Sequence, residues 1–272
     1  MQQVLVVVPT YNEVGNIDDL VQEVLTAAPD VHLLFVDDNS QDGTLQKIEA
    51  RQTAHPGRIH LLRRPRKLGL GTAYVTAFRW ALERSYGAVV EMDADLSHRP
   101  VDLPKIIAGL TSHDVVVGSR YVRGGGTQNW GLGRKLISRL GSLYARTILQ
   151  LTTRDLTGGF NAWRREVIEA IDLDGVRSEG YTFQIELKYR AALAGFRIAE
   201  IPILFVERRA GQSKMSSGIV VEAMLRVWLL RLARGGLRKR LGKPPAGSAR
   251  ALENLTTVQG LDRSRVEAEH TD

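Results

Sequence analysis

Two aspartates one residue apart, Asp93 and Asp95, close the stretch G-A-V-V-E-M-D-A-D-L-S-H from Gly87 to His98. A short apolar run ending in a turn-like polar cluster reads as a buried strand. A strand of a parallel sheet delivers its last residues to the carboxyl edge, where open α/β folds bind ligands. Side chains on an extended segment alternate with period two, so the two carboxylates converge on one point. An all-oxygen pair suits a hard divalent cation such as Mg²⁺ or Mn²⁺, and that cation suits a diphosphate. The competing reading is structural, since aspartates also form turns after strands.

The elements that must position this pair follow from periodicity. Val4 to Val8 is a strand, and Pro9-Thr10-Tyr11-Asn12-Glu13 leads into a helix with Ile17, Leu20, Val21, Val24 and Leu25 on one face. His32 to Val36 is a second strand closed by Asp37 and Asp38, Ile59 to Leu62 a third, Ala88 to Met92 a fourth and Asp114 to Gly118 a fifth, with helices between them. Strands alternating with helices predict an α/β fold with a mostly parallel, doubly wound sheet. Three carboxyl edges then share one neighbourhood: Pro9 to Glu13, Asp37 with Asp38, and Asp93 with Asp95. Asp38 is placed to accept hydrogen bonds from a base or ribose. Lys67 to Thr72, with Gly69 and Gly71, reads either as a phosphate cradle at a helix N-terminus or as a turn.

Beyond Tyr121 the pattern changes. Gly124 to Gly126 reads as a flexible loop, Leu132 to Leu151 as a long helix, 155–161 as turn-rich, and Tyr181 to Ala194 as a helix. Arg197 to Val206 reads as a strand that Pro202 confines to an edge or bulge. Ile219 to Arg234 is a helix with a thin polar face, and the tail from Gly242 has the composition of a disordered segment. The expected organisation is a catalytic domain over 1–218, an amphipathic segment over 219–241 and a disordered tail over 242–272.

Composition removes several chemistries. The chain has no cysteine, which excludes disulfides, thiolate metal sites and cysteine nucleophiles. Its six histidines include no pair at metal-ligand helical spacing. G-x-G-x-x-G is missing after the first strand and G-x-x-x-x-G-K-[ST] is missing throughout, which counts against NAD and P-loop chemistry. Ser40, Ser119 and Ser213 lack a G-x-S-x-G context. No run of 18 apolar residues and no signal-like sequence after Met1 occur, so neither a spanning helix nor a secretory leader is expected. The net charge is +7, yet Arg208 to Lys243 holds ten Lys and Arg against Glu222 alone, a local +9 that leaves −2 for the remainder. A basic block beside an apolar helix suggests an anionic partner surface.

V-V-V-P-T-Y-N-E, F-V-D-D-N-S-Q-D-G-T, K-L-G-L-G-T-A-Y and M-D-A-D-L-S-H-R-P, in that order, resemble the inverting glycosyltransferases with the Rossmann-like nucleotide-diphosphosugar transferase fold. The resemblance is strongest to the polyprenyl-phosphate (dolichyl-phosphate) mannose synthases. It continues through V-V-G-S-R-Y, D-L-T-G-G-F, G-Y-T-F-Q-I-E and E-R-R-A-G-Q-S-K-M, over residues 3 to 218. It implies that Pro9, Tyr11, Glu13, Val36 and Asp38 hold the guanosine of GDP-mannose. Asp93, Ala94 and Asp95 would form the diphosphate site. The Mg²⁺ or Mn²⁺ would be bound by Asp93 and Asp95, with Ser97 where some members carry Gln. Arg120, Arg208 and Lys214 would bind phosphate and, with Asp95, act in catalysis. Arg120 otherwise reads as a surface ion pair, and Arg208 with Lys214 as a solvated basic loop. Glu179, Gln184 and Glu186 either face the sugar or acceptor or belong to a structural helix.

The implied reaction is mannosyl transfer from GDP-mannose to a polyprenyl monophosphate with inversion. Glucosyl or N-acetylglucosaminyl transfer from a UDP-sugar is an alternative with the same machinery. A non-enzymatic nucleotide or nucleic-acid binding module is a distant one, and no nucleic-acid partner is expected because the basic block accompanies aliphatic rather than aromatic residues. The segment from Ile219 to Arg234, with Trp228 and the basic Arg238 to Arg240, reads as a helix lying in a membrane interface or packed on the catalytic domain; the two readings are compatible. The expected location is cytoplasmic, peripheral on the cytoplasmic face of a membrane, anchored by this segment or by a partner protein.

Overall fold

The computed structural model describes residues 3–207 and 217–244. In chain order the elements are β1 (Val4–Thr10), α1 (Ile17–Ala27), β2 (His32–Asp37), α2 (Thr44–Ala54), β3 (Ile59–Arg63), α3 (Leu70–Glu83), β4 (Ala88–Glu91), α4 (Leu103–Gly109) and β5 (Val115–Ser119). They continue with β6 (Gly126–Gln128), α5 (Leu132–Leu149), β7 (Asn161–Arg164), α6 (Arg165–Ala170), α7 (Gly180–Ala194), β8 (Ile198–Pro202), β9 (Leu204–Val206), α8 (Ser217–Leu232) and α9 (Arg234–Arg240).

A seven-stranded sheet has the order β3-β2-β1-β4-β7-β5-β8, and β6 pairs with β9 in a separate two-stranded ribbon. All neighbours in the large sheet are parallel except β7, which runs antiparallel to both β4 and β5. Alternation along β1 shows how both faces are filled. Val4, Val6 and Val8 pack with Ile17, Leu20, Val24, Leu103 and Ile106, whereas Leu5 and Val7 pack with Tyr74, Phe78, Phe183 and Leu187.

Helix α7 is buried nearly all round, from Thr182 to Ala191. One side packs into the sheet layer and another meets α5 and α8 through Ile185, Tyr189, Ala145, Leu149, Val227 and Leu230. Two of its buried polar residues pair with each other: Arg190 donates to Glu186 at 2.7 Å, and also to the Gly175 carbonyl at 2.6 Å.

Three sequence expectations are revised. The turn-rich segment ends in β7, whose four residues complete the sheet between β4 and β5. Gly126, assigned to a flexible loop, begins β6, because the Gly126 N–H donates to the Ile203 carbonyl at 3.0 Å. The 197–206 strand is two strands, since the chain leaves the large sheet at Pro202 on edge strand β8 and joins the ribbon at Leu204. The second half of the expected amphipathic segment forms α9. Among the described residues no helix is long and apolar enough to cross a membrane. Arg208, Lys214 and all but the first residues of the expected tail lie outside the described residues.

Candidate active site

The carboxyl ends of β1, β2 and β4 open into a cleft of about 350 Å³. Pro9, Tyr11, Glu13, Asp38, Asp93, Ala94, Asp95, Ser97 and Arg120 all line it, so most of the expected site residues meet at one place. Val36 does not. It is fully buried on the face of the sheet that packs against α3, because the alternation that turns Asp37 and Asp38 toward the edge leaves Val36 in the core.

Local chemistry fixes the base of the cleft. Asp37 accepts from the Thr10 hydroxyl at 2.8 Å and from the Ser40 N–H and hydroxyl at 2.8 and 2.6 Å, which ties the ends of β1 and β2 together. Asp38 is paired with the buried Arg64 and accepts from the Leu68 N–H at 3.2 Å. Arg64 also donates to Thr72 Oγ1 at 2.7 Å and the Gly69 carbonyl at 2.8 Å, so this pair shapes the loop before α3. At the start of α3 the Gly71 N–H donates to Glu179 at 3.1 Å. At Gly71 that helix N-terminus thus receives a carboxylate from its own chain, while Lys67, Gly69 and Leu70 line the cleft. Gly69 has φ +98°, a conformation that disfavours side chains. Lys67 Nζ stands 3.9 Å over the Tyr11 ring, so a cation and an aromatic face sit together on the wall.

Asp93 and Asp95 follow β4. The Asp93 N–H donates to His98 Nδ1 at 3.1 Å, and the Ser97 N–H donates to Asp95 Oδ1 at 3.1 Å. The His98 ring stacks on Phe160 with centroids 5.1 Å apart. Ser97 is 1% exposed and its hydroxyl has no hydrogen-bond partner among the described residues. Two carboxylates and an orphaned hydroxyl form an all-oxygen donor set that fits a hard divalent cation. No group of three or more His, Cys, Asp or Glu converges among the described residues, so such a cation would draw the rest of its shell from phosphate and water.

The opposite wall is built on ion pairs. Arg120 is 5% exposed and grips the fully buried Asp155, donating Nε to Oδ2 at 2.7 Å and Nη2 to Oδ1 at 2.6 Å, and it donates to Thr157 Oγ1 at 2.9 Å. The arginine read as a surface pair is thus part of a buried one. Burial alone would raise the Asp155 carboxyl, but the Arg120 charge and hydrogen bonds outweigh it and hold it below the ordinary 3.8. Behind this wall, burial pushes the Glu91 carboxyl up and the Lys188 ammonium down, each partly restrained by the other's charge.

Sequence reasoning had not singled out Trp130, Arg134 or Phe205, which also line the cleft. Trp130 comes from the connection before α5, Arg134 from the first turn of α5 and Phe205 from β9, and their approach depends on the β6–β9 ribbon rather than on any strand-end pattern. The D-L-T-G-G-F motif was a usable signal, since Thr157, Gly158 and Gly159 line the cleft. Gln184 also faces the cleft, while Glu179 and Glu186 are structural.

A family model described as glycosyl transferase family 2 matches residues 5–172. The chain belongs to glycosyl transferase family 2. It is 47% identical over 242 residues to the undecaprenyl-phosphate mannosyltransferase of Micrococcus luteus, covering 88% of this chain and 99% of that one. It is 44% identical over 243 residues to the polyprenol monophosphomannose synthase of Mycolicibacterium smegmatis, covering 89% and 90%. Among solved structures, glucosyl-3-phosphoglycerate synthase from Mycobacterium tuberculosis in complex with Mn²⁺, uridine diphosphate and phosphoglyceric acid superposes with TM-score 0.60 at 18% identity, over 90% of this chain and 81% of that one. That likeness concerns the fold, which this family member shares: a Rossmann-like α/β sheet, largely parallel, with its cleft at the carboxyl edge.

Proposed function

We propose that the chain transfers mannose from GDP-mannose to a polyprenyl monophosphate, inverting the anomeric carbon to give the β-linked mannosyl phosphate and GDP. The observation that carries this reading is the convergence of Pro9, Tyr11, Glu13, Asp38, Asp93 and Asp95 on one cleft, in a chain that aligns along nearly the full length of an undecaprenyl-phosphate mannosyltransferase. Tyr11 and Asp38 would hold the guanosine. Asp93 and Asp95, with the Ser97 hydroxyl, would hold Mg²⁺ or Mn²⁺. When bound, that ion neutralises charge developing on the leaving diphosphate. The acceptor oxygen is already ionised, so no side chain has to remove a proton. Arg120 would position the acceptor as half of an ion pair, and the further positive charge for its phosphate is assigned to Arg208 and Lys214.

The lipid is proposed to enter between α5 and α8. An apolar cavity of about 90 Å³ there, walled by Ile137, Tyr144, Ile185, Met224 and Val227, shares Trp130, Arg134, Thr157 and Tyr181 with the cleft. Leu132, Leu136 and Leu140 on α5 are exposed beside exposed Leu225, Trp228, Leu229 and Leu232 on α8, and Arg238, Lys239 and Arg240 close α9. An apolar surface of this extent with a basic flank suits the interface of an anionic membrane, consistent with a peripheral enzyme on the cytoplasmic face. Val227 and Leu230 on α8 are meanwhile packed inward, so the helix would serve both roles. On this reading 1–218 is the catalytic unit and 219–241 its membrane-facing appendage.

The deciding experiment incubates the protein with labelled GDP-mannose, UDP-glucose or UDP-N-acetylglucosamine and polyprenyl phosphate, with and without chelator. Label is expected in the organic phase from GDP-mannose alone, lost with chelator and in Asp95→Ala. Label entering only from a UDP-sugar would overturn the donor assignment, and full transfer by Asp95→Ala would overturn the metal assignment.

A further inference from the structure

Gln184 is a buried amide with part of its hydrogen-bonding capacity unused. Asn161 Nδ2 donates to Glu91 Oε2 at 2.7 Å, to the Gly158 carbonyl at 3.1 Å and to Gln184 Oε1 at 2.8 Å. Turning Asn161 over would set its own oxygen against three acceptors. The network therefore fixes the orientation of Asn161 and, through it, that of Gln184. Gln184 Nε2, in a residue 2% exposed, has no partner at hydrogen-bond geometry among the described residues. The Gln184 amide also lies close enough to Glu91 to lower that carboxyl by hydrogen bonding, which engages at most one of the two N–H groups on Nε2. Native interiors leave few such donors unpaired, and one that lines a ligand cleft points to a ligand acceptor.

The space in front of this donor is defined by a glycine. A β-carbon on Gly159 would lie 3.9 Å from Gln184 Nε2, 3.9 Å from Asp93 Oδ1 and 3.6 Å from His98 Cε1. These are ordinary van der Waals distances, so the absent side chain leaves a notch bordered by an amide donor, a carboxylate acceptor and an imidazole edge. A hydroxyl can accept from Gln184 and donate to Asp93 at once.

We propose that Gln184 Nε2 and the Gly159 notch form a subsite for one hydroxyl of the hexosyl ring of the nucleotide-sugar donor, making Gln184 a specificity-determining residue. The proposal rests on the transferase reading above. It requires that the contact be made to the sugar and not to the nucleotide.

Two variants test it by different routes. Gln184→Met removes both N–H groups at similar length, together with the Oε1 that accepts from Asn161, and Gly159→Ala places a methyl group in the notch while leaving every hydrogen bond of the network in place. Titration calorimetry with GDP and with GDP-mannose compares each variant with wild type. Both variants are expected to bind GDP within about twofold of wild type and GDP-mannose about tenfold more weakly, the scale of one hydrogen bond. Among monodeoxy GDP-mannoses, one is expected to bind wild type about tenfold more weakly than the parent sugar and to show no further loss in Gln184→Met. Equal losses for GDP and GDP-mannose would mark Gln184 as structural and overturn the proposal, as would undiminished GDP-mannose binding by both variants. If wild type binds a UDP-sugar instead, the donor assignment fails by itself, and the same comparison of UDP-sugar with UDP decides the subsite.

Discussion

Replacing Asp155 by asparagine tests the wall of the cleft with a change of a single atom. Oδ2 accepts from the Arg120 N–H at 2.9 Å and Nε at 2.7 Å, while Oδ1 accepts from Arg120 Nη2 at 2.6 Å and the Gly158 N–H at 3.0 Å. Whichever way the asparagine amide is turned, two of these four bonds are lost and an NH₂ faces two donors. Arg120 is left buried without a counter-ion. Removing one partner of a buried pair costs about 3–5 kcal/mol. For a chain of this size that lowers the melting temperature by roughly 10 °C.

The pH dependence gives a second, independent signature. Arg120 holds the folded-state carboxyl of Asp155 below the ordinary 3.8, so the pair stabilises the protein above that value and the contribution is lost as pH falls through the folded-state value. Calorimetric melting of wild type and Asp155→Asn at neutral pH and in steps below pH 4 should therefore show a gap that is wide at neutrality and narrows with acid. A variant melting within about 2 °C of wild type at neutral pH, or a gap that ignores pH, would refute the assignment of this pair as a net-stabilising element.

Two glycines in helices should respond to alanine with opposite signs. A β-carbon on Gly71 would meet the Ser178 carbonyl at 2.8 Å and Phe183 at 3.0 Å, whereas one on Gly141 meets nothing within 4 Å. Gly71→Ala is expected to lose about 1–3 kcal/mol from overpacking and Gly141→Ala to gain about 0.5–1 kcal/mol from helix propensity, read by denaturant titration; equal responses would contradict the packing described. Leu136→Glu combined with Trp228→Glu should reduce co-sedimentation with anionic vesicles about tenfold, given the scale of apolar burial, and leave the melting temperature within 2 °C. Unchanged vesicle binding would dismiss the α5–α8 face as the membrane contact.

The part of the cleft built on strand ends was legible in the sequence because strand ends place residues by rule. A buried run followed by Pro9-Thr10-Tyr11, by Asp37-Asp38 or by Asp93-Ala94-Asp95 needs only the parallel sheet to bring those groups together. Val36 shows the limit of the same rule, since one step of alternation separates a core residue from an edge residue. The rest of the cleft was less legible. Strand β7 has four residues with polar ends, too short for periodicity to reveal, and Trp130, Arg134 and Phe205 reach the cleft only because a two-stranded ribbon forms across residues far apart in sequence. Gln184 stood out as a candidate, yet its orientation depends on Asn161 in β7, so the sequence offered no means of separating it from Glu179 and Glu186.

The antiparallel strand has a consequence for how such a protein can diverge. Because β7 runs against β5, the chain leaves β5 and re-enters the sheet beside it, with the Gly118 N–H bonded to the Phe160 carbonyl at 2.8 Å. Everything from 120 to 160, including β6, α5 and the glycine floor of the cleft, is an excursion whose two ends are fixed one strand apart. Changing the length of such an excursion costs chain entropy only slowly, about 0.6 kcal/mol per doubling. New surface can therefore be inserted, lengthened or exchanged there while every strand that opens into the cleft keeps its register.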